Sequence, residues 1–189
     1  MILLLCGLSG SGKTTLAKNV QAFLIKSGID VEILDGDDYR ENLFKELTYS
    51  KESRVENSRR LGFLANRFSS HGIVSIICAI NPYEEIRQEL VKRYKNVKIV
   101  YVDCPLENLI TRDTKGLYKR ALLPHGHPDK IYNLTGVNDR FDIPENPDLV
   151  IHTHTQSISC STAALLSFVD RNLQKLLKSI PPVQSFNSL

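Results

Sequence analysis

The 189-residue sequence has no apolar run near the roughly 20 residues a membrane-spanning helix needs. Its mean hydropathy is −0.17. Neither a membrane span nor a membrane partner is therefore expected. Cysteine is scarce: Cys6, Cys78, Cys104 and Cys160 stand far apart with no C-x-x-C pair, which argues against a thiolate zinc site or a disulfide framework. A secretory signal is not expected either, because Ile2-Leu3-Leu4-Leu5-Cys6 is too short and lacks a basic start. The cytosol is the expected location. Charge of one sign is also missing, with 24 Lys+Arg against 21 Asp+Glu and a net charge of +3. Without a clustered basic stripe, no nucleic-acid partner is expected, whereas small anionic ligands fit.

What is present is enough apolar material, 42% of residues, for one well-packed core. Short buried strands alternate with amphipathic helices. Strands are expected at Ile2–Cys6, Val31–Leu34, Ile73–Ile80, Val97–Val102 and Leu149–Ile151. Leu16, Ala17, Val20, Phe23 and Leu24 repeat at helical spacing, with Gly28 as the stop. A second helix is expected over Ser50–Ser70, with a capping-box pattern at Ser53 to Glu56. Asn81-Pro82 reads as a cap and first turn, Pro105 opens another helix, and Thr162–Ile180 closes the domain before Pro181-Pro182. No internal repeat is visible. The pattern predicts an α/β fold: a five-stranded parallel sheet with helices on both faces. One domain is expected over 1–182, with residues 183–189 as a mobile tail. Between Arg112 and Pro147 the periodicity dissolves, and so long an irregular stretch within a domain predicts an active-site lid over about 112–147.

Gly7-Leu8-Ser9-Gly10-Ser11-Gly12-Lys13-Thr14 matches G-x-x-x-x-G-K-[ST] at every position, between a buried strand and an amphipathic helix. Glycines there let backbone N–H groups turn toward phosphates at a helix N-terminus. Lys13 is expected on the β- and γ-phosphates, and the Thr14 hydroxyl on Mg²⁺. This predicts a P-loop NTPase fold that takes ATP. The third strand ends without an acid. The second ends Leu34-Asp35-Gly36-Asp37-Asp38, where ligands of open α/β sheets bind. Two acids separated by a glycine can divide the work, Asp35 near Mg²⁺ and Asp37 accepting a proton from an attacking hydroxyl.

Arg54 and Asn57 share a helical face and could reach one ligand, although a surface salt bridge explains that spacing equally well. Asp113 to Arg120 sets three cations around Gly116, a basic lid suited to neutralising a transferring phosphoryl group. His125, His127, His152 and His154 show H-x-H spacing. With no Cys or well-placed acid beside them in sequence, no metal site is expected there.

Together these residues resemble the adenylylsulfate kinase (APS kinase) family. The resemblance runs from Leu4 to about Val150 and rests on Gly7–Thr15, Leu34–Arg40, Arg54–Arg60, Ile80–Tyr83, Val102–Glu107, Arg112–Lys119 and Leu134–Val137. It implies transfer of a phosphoryl group from ATP to the ribose 3′-hydroxyl of adenosine 5′-phosphosulfate, giving PAPS and ADP. Lys13, Asp35, Asp37 and Lys115 would be catalytic, with Asp37 as general base. Gly7, Ser9, Gly10, Ser11, Gly12, Lys13, Thr14, Thr15 and Arg112 would bind ATP, Arg112 against its adenine. Arg40, Arg54 and Asn57 match residues that grip the substrate's phosphosulfate and sugar. Tyr49 stands where the family usually stacks a Phe on the substrate adenine, Ile80 and Asn81 match backbone-contacting positions, and Lys115 matches the lid lysine. Thr14 and Asp35 would hold Mg²⁺, and a homodimer is possible.

Three positions depart from the family pattern. Its Ile-Ser-Pro-Tyr serine, sometimes regarded as a phosphorylated intermediate, is Asn81, which forms no phosphoester, so direct in-line transfer is expected. The aromatic residue of its Gly-Phe-Thr-Gly is Leu134, and Leu122–Asp129 lengthens the lid. Because the last two touch base recognition, two alternatives stay open: the same chemistry on another nucleotide, such as a cytidine diphosphoramidate, and a nucleotide-binding switch without transfer.

Overall fold

A computed structural model describes residues 1–178. The expected helix end at Ile180–Pro182 and the tail at 183–189 lie outside the described residues. Five strands, β1 (Ile2–Cys6), β2 (Val31–Asp35), β3 (Val74–Cys78), β4 (Val97–Asp103) and β5 (Leu149–His152), form one sheet in the order β2-β3-β1-β4-β5. Every neighbouring pair is parallel. Central β1 is buried throughout, as a strand covered on both faces must be.

Its side chains alternate between two cores. Leu3 and Leu5 pack with Leu16 and Val20 of α1 (Lys13–Lys26) and with Leu165 and Val169 of α7 (Ile158–Lys178). Ile2, Leu4 and Cys6 face Leu61 and Ala65 of α3 (Lys51–Ser70) and Ile86 and Leu90 of α4 (Glu84–Arg93). Burial pushes the thiols of Cys6 and Cys78 up to about 12, so both act as small apolar core groups. The chain order places β1 between β3 and β4, the point at which an open α/β sheet leaves a crevice beyond its strand ends.

Three helix starts differ from expectation, α7 beginning at Ile158 instead of Thr162. Ser50, not Ser53, caps α3, its hydroxyl accepting from the Ser53 amide at 3.2 Å. Asn81 caps nothing: α4 begins at Glu84 after Tyr83. Asn81 instead turns the chain at φ 45°, a left-handed conformation that asparagine tolerates better than most residues. Two short helices were not foreseen, α2 (Gly36–Asn42) and α6 (Leu117–Ala121), and α5 (Leu106–Arg112) follows Pro105 as expected.

Candidate functional site

The glycine-rich loop spans the gap between β1 and α1. At Gly7, φ is 147° and an added Cβ would lie 2.4 Å from the Val102 carbonyl oxygen, so no other residue fits without moving β4. Outside groups hold the loop in shape: the Thr153 hydroxyl donates to the Ser11 carbonyl at 2.9 Å, and the buried Tyr118 hydroxyl donates to the Ser9 carbonyl at 2.8 Å. The Lys13 ammonium lies inside, donating to the carbonyls of Gly7 at 2.9 Å and Leu8 at 2.8 Å. Burial lowers its pKa to about 8.

The carboxylates of the β2 end are brought against this loop. Asp35 is the N-cap of α2, one oxygen accepting from the Asp37 amide at 3.0 Å and the other from the Thr14 hydroxyl at 2.8 Å. Thr14 and Asp35 thus present adjacent hard oxygen donors, the donor set that Mg²⁺ prefers. Asp37 projects from the first turn of α2, and its carboxylate takes a hydrogen bond from Lys115 at 2.7 Å. That bond raises the Lys115 pKa, so the lysine is a cation through the neutral range.

A cavity of about 910 Å³ opens beyond these groups. Ser9, Gly10, Gly12, Lys13, Thr14 and Thr15 line it, and so do Asp35, Asp37, Arg40, Tyr49, Arg54, Ile80, Lys115 and Leu134 among others. Tyr49 lies between two guanidinium groups, 5.1 Å from Arg40 and 5.6 Å from Arg54. Arg40 is fixed by the Thr48 carbonyl at 2.7 Å, and Arg54 by the carbonyls of Tyr49 at 3.0 Å and Asn133 at 2.6 Å.

Other expected residues sit behind this wall. Asn57 is buried beside Gly36, with its Oδ1 lacking a hydrogen-bond partner. Asn81 accepts from the Ser58 hydroxyl at 2.8 Å and donates to the Leu5 carbonyl at 3.4 Å. Arg112 lines a separate small recess with Ser9, Gly10 and Thr114, and donates to the Thr153 carbonyl at 3.2 Å.

The 112–147 segment is not a solvated basic loop. Leu109, Tyr118, Ala121 and Leu134 form a core of their own, against which Leu8 of the glycine-rich loop packs. Fully buried Arg87 fastens its far end, donating to the carbonyls of Asn81 and Asp142 at 2.6 Å each and to Glu84. Sequence reasoning missed Leu47, Ile131 and Asn133 in the cavity wall and Tyr118 beneath the loop. A helical Leu117-Tyr118-x-x-Ala121 face was the available signal for the last of these.

Comparison with known proteins bears on the sequence and the fold. A family model described as adenylylsulphate kinase matches residues 1–152. The adenylyl-sulfate kinase of Microcystis aeruginosa is 43% identical over 159 residues, 84% of this chain and 85% of its own length. That of Deinococcus deserti is 42% identical over 166 residues, covering 88% and 89%. Among solved structures, the Mycobacterium tuberculosis APS kinase in complex with AMPPNP and APS superposes with a TM-score of 0.79 at 30% identity, over 89% of this chain and 96% of that one.

Proposed function

The chain belongs to the adenylylsulfate kinase family, and from that premise we propose that it transfers the γ-phosphoryl group of ATP directly to the ribose 3′-hydroxyl of adenosine 5′-phosphosulfate. The observation that carries this reading is that the glycine-rich loop, the Asp35–Thr14 pair and Asp37 line one cavity together with Tyr49, Arg40 and Arg54. The cavity thus pairs a phosphate loop with cationic and aromatic side chains. A donor and an acceptor nucleotide facing each other need both.

The backbone N–H groups of the loop and the α1 N-terminus bind the ATP phosphates. Lys13 exchanges the carbonyls of Gly7 and Leu8 for phosphate oxygens. Thr14 and Asp35 would hold Mg²⁺, which when bound neutralises phosphate charge. Arg40 and Arg54 bind the anionic phosphosulfate, and Tyr49 stacks on the acceptor base. Asp37 takes the proton from the 3′-hydroxyl as it attacks. Lys115, carried on the 112–147 lid, leaves Asp37 for the transferring oxygens and stabilises their charge. Asn81 offers no nucleophile and is held by Ser58 and Leu5, so no phosphoenzyme forms. Its role is to shape the turn behind the cavity.

Incubation with γ-labelled ATP and APS tests this reading. The label should appear on the 3′-oxygen of the acceptor, and an isotopically chiral γ-phosphoryl group should arrive inverted. Label on the protein, or retained configuration, would contradict direct transfer.

A further inference from the structure

We propose that Asp103, His152 and His154 form a binding site for a divalent transition-metal ion of the zinc type, separate from the Thr14–Asp35 pair. One ligand atom from each of the three residues lies within 4.8 Å of the other two, the one such group of His, Cys, Asp and Glu among the described residues. The arrangement follows from the sheet. Asp103 ends β4 and His152 ends β5, and the two are register partners on adjacent parallel strands. The Asp103 carboxylate and His152 Nδ1 are 2.8 Å apart. His154 follows two residues later, its ring 5.9 Å from that of His152 and nearly perpendicular to it.

Three observations point to a ligand rather than to a plain ion pair. First, Nδ1 of His154 is buried with no hydrogen-bond partner, an arrangement that costs free energy unless something fills it. Second, the ligand-bearing turn is held before any ion arrives. The Thr153 amide donates to the Asp103 carbonyl at 2.9 Å. The other Asp103 carboxylate oxygen accepts from the Tyr101 hydroxyl at 3.0 Å, the kind of outer hydrogen bond that orients metal ligands. Third, His152 is half exposed, so water or a further ligand has access to the ion.

Two imidazoles and one carboxylate suit zinc-type ions and not Mg²⁺ or Ca²⁺, which take oxygen donors. Metal–ligand bonds of about 2.0–2.2 Å would set the ligand atoms about 3.4 Å apart, opening the 2.8 Å Asp103–His152 contact and closing any wider separation. The H-x-H spacing was visible in the sequence, but the acid that completes the set comes from another strand. Thr153, between the two histidines, also donates to the Ser11 carbonyl. The site therefore adjoins the turn that braces the phosphate loop.

Titration of the chelator-treated full chain with Co²⁺, followed by Zn²⁺ displacement, tests the proposal without any activity measurement. The expected result is one equivalent of Co²⁺ with the intense visible absorption of a low-coordinate histidine site, lost on adding Zn²⁺. His152→Ala and Asp103→Asn should each weaken binding about tenfold or more with the circular-dichroism melt retained. A His125→Ala/His127→Ala variant should bind as the parent does. Absence of the absorption would overturn the proposal, as would binding unchanged in the His152→Ala/Asp103→Asn double variant or abolished in the His125→Ala/His127→Ala variant.

Discussion

Replacing Asp37 by asparagine removes the proton acceptor and keeps the shape. The side chain is two-thirds exposed and its Lys115 partner about half exposed, so the ion pair is solvent-screened and contributes at most about 1 kcal/mol to stability. The backbone N–H of residue 37, which Asp35 caps, is untouched by the change. The variant should therefore fold with a melting temperature close to that of the parent. A general base contributes about 10²–10⁴ in rate, or roughly 3–5 kcal/mol of barrier. In a coupled ADP-release assay with saturating ATP and APS, kcat should fall by that factor. Affinity for a fluorescent ATP analogue should change less than about threefold, because the Asp37 carboxylate is bonded to Lys115 and not to the phosphate loop. A fall in kcat of less than about tenfold would refute the base assignment. A parallel loss of ATP affinity would place Asp37 with the metal instead.

Other outcomes follow from the same geometry. Burial lowers the Lys13 pKa from 10.5 to about 8, so kcat/KM for ATP should fall as pH rises through about 8. Over the same interval the fold gains stability, because the penalty for burying the Lys13 charge is relieved as the fold releases a proton that the unfolded chain still holds. A kcat/KM flat to about pH 9 would show that Lys13 stays charged in the free protein. Arg87→Ala should destabilise the protein by about 3 kcal/mol, read as a shifted urea midpoint, since it strands the Asn81 and Asp142 carbonyls and Glu84. Tyr49 is half exposed, so Tyr49→Ala should leave melting unchanged while raising the KM for APS about fivefold, the equivalent of roughly 1 kcal/mol of stacking. An unchanged KM would remove Tyr49 from the acceptor wall.

Much of this was readable from one-dimensional pattern, and the exceptions share a cause. Strands β1 to β5 came from buried apolar runs, and Gly7 to Thr14 from a motif whose strand-before, helix-after context is itself sequential. Asp35 and Asp37 were legible because they sit at the end of a strand whose direction the parallel fold dictates. The α2 helix was hidden because Gly36, Asp37 and Asp38 carry weak helix propensity, and capping by the Asp35 side chain decides the matter. Asn81-Pro82 has the composition of a helix start, but Ser58, 23 residues earlier, and the buried Arg87 hold Asn81 in a left-handed turn. The 112–147 segment has no periodicity, yet it is braced through Tyr118 and Leu134, each of which finds its partners across the fold. Asp103 and His152, 49 residues apart, meet only because β4 and β5 pair in register.

The most direct test of the account is a steady-state comparison of acceptors with ATP and Mg²⁺, offering APS beside a cytidine diphosphoramidate. The account predicts a kcat/KM for APS of about 10⁴ M⁻¹s⁻¹ or more, well above that for the cytidine compound. Faster turnover of the cytidine compound, or ATP and APS binding without transfer to APS, would contradict it.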